Sequence, residues 1–190
     1  MNRGLLLILS GASSVGKEKI RDLLLNNEKY HFFYSISMTT RKPHAKEIDG
    51  KDYYFVDQKT FAAAIKDKAL LEYTEFDGHY YGTPKSQIEF LLSTGKNVLI
   101  EVEAQGVGKI KLHYPEAVSV FVMPQSFDDL KDQINERYKD DQSSIERRIN
   151  KASVEMELAP LFRNIVYNDD NDKAYRDILE ILDNYEYKKY

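Results

Sequence analysis

The residues best equipped for chemistry stand near the start of the chain. Gly11, Ala12, Ser13, Ser14, Val15, Gly16 and Lys17 follow the apolar run of residues 5–9 and precede a stretch with helical spacing. Strand, glycine-framed turn and helix, with Gly-Lys closing the turn, form the G-x-x-x-x-G-K pattern of a phosphate-binding loop. The chemistry is anion binding. Backbone N–H groups converge at the positive end of a helix, and the lysine ammonium adds a full charge. Where the pattern ends in a hydroxyl residue that ligates Mg²⁺, this chain carries Glu18. Glu101 and Glu103 close an apolar run and are candidate carboxylates at the end of a strand.

Elements must hold these groups in place. Ile20, Leu23 and Leu24 have helical spacing, and residues 32–38 alternate in part and read as one aromatic-rich strand. Pro43 takes the chain out of a sheet. Asp49-Gly50 is a turn before a strand at 53–56, and Asp57 is placed to cap a helix over 58–67. Asp77-Gly78, flanked by 70–76 and 79–83, predicts a hairpin. Residues 85–93 read as a helix with Gly95 beyond its end. Core strands are expected at 97–102, 118–122 and 165–167, and helices at 105–113, 126–138, 143–158 and 172–187. A polar connection at 139–142 and a tyrosine-rich tail at 185–190 complete the chain. Strands alternating with helices predict an α/β fold, a parallel sheet covered on both faces.

Composition narrows the function classes. A chain of 190 residues with 42% hydrophobic and 31% charged residues suits one domain with a real core. A net charge of −4 argues against a nucleic-acid partner. Without cysteine there is no disulfide or thiolate metal site. The longest apolar run is far shorter than the roughly 20 residues of a membrane span, and it reads as strand and loop rather than as a signal peptide. The expected setting is cytoplasmic, with no membrane partner. His31, His79 and His113 lack the spacing of metal ligands and read as structural.

Several motifs, in order and across essentially the whole chain, resemble the guanylate kinase family. They are the loop of residues 11–17, Ser35 to Pro43, Asp49 to Tyr53, Glu72, Tyr80 to Thr83, Glu101 to Gly106, and Tyr167 to Asp170. The resemblance implies a P-loop NTPase core at about 1–34, 84–125 and 159–190. It also implies a β-rich GMP-binding insertion at about 35–83 and a helical lid at about 126–158. The implied reaction is phosphoryl transfer from ATP to GMP with Mg²⁺, by a monomer or homodimer. Ser37, Glu72, Thr83 and Glu103 would recognise guanine, and Arg41, Tyr53 and Tyr81 would hold the GMP phosphate. Lys17, Arg137 and Arg148 would carry catalysis, Glu101 would approach the metal through water, and Asn168 would lie on the adenine side. The base chemistry agrees: guanine presents N1–H and an amino group, and one carboxylate accepts both. Adenine has no donor at N1, so a buried carboxylate rejects it.

The chain also departs from the family pattern. Ser14 stands at a usual glycine, and Glu18 and Lys19 replace small or hydroxyl residues. His44 and Lys46 replace an arginine and a glycine, Gln133 replaces a lid arginine, and Tyr138-Lys139 replaces Gly-Thr. These changes weaken charge neutralisation while leaving the expected base readers intact. An alternative reading is therefore a catalytically impaired paralogue that binds a guanine nucleotide or a protein partner.

Overall fold

The first strand explains its own composition. In the computed structural model, which describes residues 3–139 and 141–187, β1 (Leu6–Gly11) is buried along its whole length. Leu7 and Leu9 enter one apolar core and Leu6 and Ile8 another. A central parallel strand buried on both faces has no use for polar alternation.

The chain then runs through α1 (Lys17–Leu25), β2 (Phe33–Tyr34), β3 (Met38–Thr39), β4 (Tyr54–Phe55), α2 (Gln58–Lys66), β5 (Leu70–Phe76), β6 (His79–Pro84) and α3 (Lys85–Ser93). It continues with β7 (Val98–Glu101), α4 (Ala104–His113), β8 (Val118–Met123), α5 (Phe127–Arg137), α6 (Gln142–Glu157), a 3-10 turn (Ala159–Leu161), β9 (Asn164–Tyr167) and α7 (Asn171–Tyr187). One sheet is parallel throughout, in the order β2-β7-β1-β8-β9, with Ile8 opposite Ile100 and Leu9 opposite Val120. Buried residues of α1, α5, α6 and α7 cover one face, and those of α3 and α4 the other.

The second sheet has the order β4-β3-β6-β5. Its hairpin turns at Asp77-Gly78, both with positive φ (54° and 73°), and Phe76 pairs with His79. That is the primed two-residue turn that matches strand twist. Asp57 caps α2 by accepting from the Thr60 N–H at 2.7 Å, as its position predicted. Ser126 and Asp141 cap α5 and α6 in the same way.

One expectation is corrected. Residues 32–38 are not one strand but the ends of two sheets: Phe33 and Tyr34 pair with Val98 and Leu99 in the parallel sheet. Met38 and Thr39 pair with β4 and β6 in the smaller one. The Ser35 N–H makes the last bond to the first sheet, on Leu99 O, and Ser37 O already accepts from the Tyr54 N–H. Alternation reports an extended backbone, not which neighbour it pairs with. Asp140, in the polar connection, and residues 188–190 of the tail lie outside the described residues. No helix among the described residues is long and apolar enough to cross a membrane.

Candidate functional site

β1 ends where the loop begins, and the loop's shape depends on that junction. Gly11 has φ 150°, and a Cβ there would sit 2.4 Å from Val122 O, so a side chain is excluded. Ser14 adopts φ 67°, a left-handed conformation without glycine's freedom. For a residue with a Cβ this costs roughly 1–2 kcal/mol. The sequence departure at Ser14 is thus a real backbone strain. Lys17 opens α1 and folds its ammonium back onto Gly11 O and Ala12 O, 2.9 Å from each. Burial lowers its pKa, and the charges of Glu155 and Glu101 oppose that shift.

Across the sheet edge, a cleft of about 810 Å³ separates the loop from the second sheet. Of the sequence-predicted residues, it gathers Gly11, Ser13, Ser14, Lys17, Ser37, Arg41, Tyr53, Glu72, Tyr81, Glu101, Glu103, Arg137 and Arg148. Ala12 and Val15 are buried behind the loop. Gly16 does not line the cleft; it forms the left-handed cap of α1. Thr83 lies beneath the surface, 1% exposed. Its hydroxyl donates to Glu72 Oε1 at 2.6 Å. Asn168 is not on the cleft wall: its amide donates to Val15 O at 2.7 Å and to Asn171 Oδ1 at 3.2 Å, bracing the loop from behind.

The carboxylates on the far side are held in different ways. Glu72 is 6% exposed, and burial pushes its pKa up to about 7; the Thr83 hydroxyl opposes that shift and the charge of Glu103 adds to it. Gly106 makes room for it, since a Cβ there would lie 2.8 Å from Glu72 Oε2. Glu103 Oε2 accepts from Thr74 Oγ1 at 3.3 Å and from Gln105 Nε2 at 3.1 Å. Glu101 ends β7, and burial raises its pKa against the pull of Arg21 and Lys17. Arg21, one turn beyond Lys17, bonds it at 3.2 Å.

Arg41 is fixed by a partner that the motif reading missed. Glu47 takes both of its terminal nitrogens at 2.8 Å, and the guanidinium lies near the Tyr53 and Phe55 rings, 5.4 and 5.6 Å from their centres. The Arg41 hydrogen bonds hold the Glu47 pKa down at about 2. Tyr53 and Tyr81 meet edge to face, 6.1 Å apart. His44 lines the same wall, and its backbone N–H donates to Glu47 at 2.7 Å. Lys19, Lys46 and Gln133 are exposed and outside the cleft lining.

Helix α6 brings further groups to the cleft. Arg148 lies over the Tyr138 ring at 4.0 Å, with Arg137 at 5.5 Å from the same ring. Arg137 approaches Glu18 at 3.7 Å, both side chains exposed (53% and 65%). Arg147 pairs with Asp77 on the hairpin turn at 3.3 Å. Glu155 accepts the loop amide of Ser13 at 2.7 Å, and Lys151 pairs with Glu103. The motif reading missed Glu155 and Lys151 too. The acid had a signal in the sequence: Glu155 lies three residues beyond Ala152, on the apolar stripe through Ile145 and Ala152 that α6 buries.

A parallel sheet with a glycine-framed anion loop at its carboxyl edge, and a helix that starts at the loop's lysine, defines a P-loop nucleotide-binding protein. The comparisons narrow the class. The family model "Guanylate kinase" matches residues 3–185. A guanylate kinase of Thermus thermophilus is 46% identical over 180 residues, covering 95% of this chain and 81% of the relative. One from Latilactobacillus sakei is 39% identical over 182 residues, covering 96% and 90%. The crystal structure of guanylate kinase from Anaplasma phagocytophilum superposes with a TM-score of 0.77 at 27% identity, covering 96% of this chain and 86% of that one. The chain belongs to the guanylate kinase family.

Proposed function

We propose that this protein transfers the terminal phosphoryl group of ATP to GMP, giving ADP and GDP. The observation that carries the reading is buried Glu72, braced by the Thr83 hydroxyl beneath it and lining the same cleft as Lys17. With one bond accepted from Thr83, the Glu72 carboxylate keeps acceptor sites that suit guanine, whose N1–H and amino group donate. Glu103 and Ser37 would complete the base pocket. Arg41, oriented by Glu47, would hold the GMP phosphate with Tyr53 and Tyr81. The relatives' shared name supports the same reaction, and nothing in them favours an impaired paralogue.

On the other side, the loop amides and Lys17 would bind the ATP phosphates. Lys17 spends its hydrogen bonds on two loop carbonyls, so a phosphate would recruit an ammonium already lodged at the loop. Helices α5 and α6 would act as the lid, with Arg137 and Arg148 neutralising the transferred group and excluding water. Asn168 would serve the adenine side indirectly, by bracing the loop at Val15. Positioning and charge neutralisation dominate this kind of transfer, which therefore needs no covalent nucleophile.

The residues present suit Mg²⁺. Among the described residues, no group of three or more histidine or acidic side chains is arranged to hold a metal ion by itself. Glu101 stands at the sheet edge beside the loop lysine. Mg²⁺ keeps most of its waters and binds substrate phosphates with one or two carboxylates, so Glu101 through water fits. When bound, the ion would neutralise charge on the phosphate oxygens.

The test is a coupled assay for ADP and GDP from ATP, GMP and Mg²⁺, with the metal removed by chelation as control. We expect turnover that needs all three. No turnover above background, with GMP binding retained in calorimetry, would overturn the enzyme reading.

A further inference from the structure

The cleft contains a cation that none of the motifs accounts for. Lys151 lies on α6 with its Nζ on Glu103 Oε1, the two side chains 19% and 23% exposed. Its ammonium sits 3.8 Å from the centre of the Phe76 ring, on β5. The other oxygen of Glu103 is taken by Thr74 from β5 and Gln105 from α4. Three elements thus converge on one carboxylate, and only α6 supplies a charge.

That charge answers a problem in the pocket. Glu72 and Glu103 are both partly or wholly removed from water and repel each other, which contributes to the raised pKa of Glu72. Thr83 and Lys109 oppose the rise from the Glu72 side. An ammonium hydrogen-bonded to Glu103 offsets the repulsion from the other side, and Oε1 of Glu103, with that single bond, keeps a lone pair for a base. Removing one partner of such a pair leaves an uncompensated charge in the pocket.

We propose that Lys151 is a positioning residue of the base pocket, which fixes Glu103 from the lid helix so that guanine recognition is completed when α6 is in place. The proposal rests on the reading of Glu103 as a guanine-side carboxylate. It makes specificity depend on closure, because Glu155, one helical turn further along the same α6, holds the phosphate loop at Ser13. A base that offers no donors to Glu103 gains nothing from that arrangement.

Calorimetric titration of GMP into the full chain tests this, using Lys151→Met, Glu103→Gln and the double variant. Methionine keeps an apolar side chain of similar length and removes the ammonium, with its charge and its hydrogen bond; Lys151→Gln replaces it if that variant melts early. Lys151→Met should weaken GMP binding by about tenfold, the size of a charged hydrogen bond's contribution. In steady state its KM for GMP should rise by more than kcat falls. In the Glu103→Gln background the lysine substitution should have no further effect, which a purely structural lysine would not obey. GMP binding by Lys151→Met as tight as or tighter than wild type, or an equal loss in both backgrounds, would overturn the proposal. Wild-type protein that binds no GMP would instead overturn the base-pocket reading, and this inference with it.

Discussion

The two walls of the cleft are built on different principles. On the proposed base side, apart from Glu103 with its partner Lys151 on α6, partners lie within or beside one small sheet: Glu72 on β5 bonds Thr83 on β6, and Arg41 bonds Glu47 in the loop that follows β3. These contacts are short, largely sheltered, and local to one layer. On the phosphate side the charged groups are paired between elements: Lys17 with loop carbonyls, Ser13 with Glu155 of α6, Glu18 with Arg137 of α5. A sheet holds its side chains by its ladder, whereas helices joined by short connections hold theirs by contacts that a ligand can exchange. The sequence departures at Ser14 and Glu18 fall on the exchangeable wall, where an altered residue shifts a balance of pairs and leaves the base pocket untouched. His44 is the exception, on the wall of Arg41.

The comparison is most severely tested at Lys17. Lys17→Met should lower kcat on the order of 10³-fold, as loss of a preorganised cation facing developing charge does, while GMP affinity in calorimetry stays within a few-fold. A parallel collapse of GMP binding would erase the distinction between the walls. Glu72→Gln should do the reverse, weakening GMP by about 10–100-fold with ATP binding preserved.

Titration sharpens the same contrast. If guanine needs ionised Glu72, GMP affinity should be level above the Glu72 pKa of about 7 and fall below it, by about tenfold per pH unit. Calorimetry in buffers of different ionisation enthalpy would register proton release on binding near pH 6. The stability sign is opposite. A carboxyl whose pKa is raised by folding favours the folded state at low pH, and that contribution disappears as pH rises from its unfolded value to about 7. Glu72→Gln should therefore melt above wild type at pH 8, by about 1–3 kcal/mol, with the gap closing as the pH approaches that of an unfolded glutamate. Smaller again, Glu18→Ser should release Arg137 and restore a hydroxyl at the loop. Because the pair is exposed, its loss costs less than about 1 kcal/mol of stability, and kcat/KM for ATP should rise by a few-fold. An unchanged or lower value would exonerate Glu18. Glu47→Gln should raise the KM for GMP by a few-fold, through a less constrained Arg41.

Local chemistry was readable in advance wherever one segment contains both partners. The glycine frame at 11–17, the Asp77-Gly78 turn and the Asp57 cap are each complete within a few residues, and each forms as its residue types dictate. The strain at Ser14 was readable too, because a Cβ at a glycine-type position has the same consequence in any context. Residues 32–38 were not separable, because one extended segment serves two sheets. Glu47 had a nearer signal in its spacing from Arg41, yet only the turn through His44 makes that pair bidentate.

By itself, the sequence determined that this protein has a phosphate loop on an α/β core, which residue types stand ready for a purine nucleotide, and where the pattern is altered. Only the tertiary structure decided which of those groups meet. It put Lys151 on Glu103 and Glu155 on Ser13, set Asn168 behind the loop, and left Gln133 in solvent. The reason is physical. Backbone preference is settled within a few residues, whereas an ion pair or a buried carboxylate depends on what packing brings from distant segments and on how much water that packing removes.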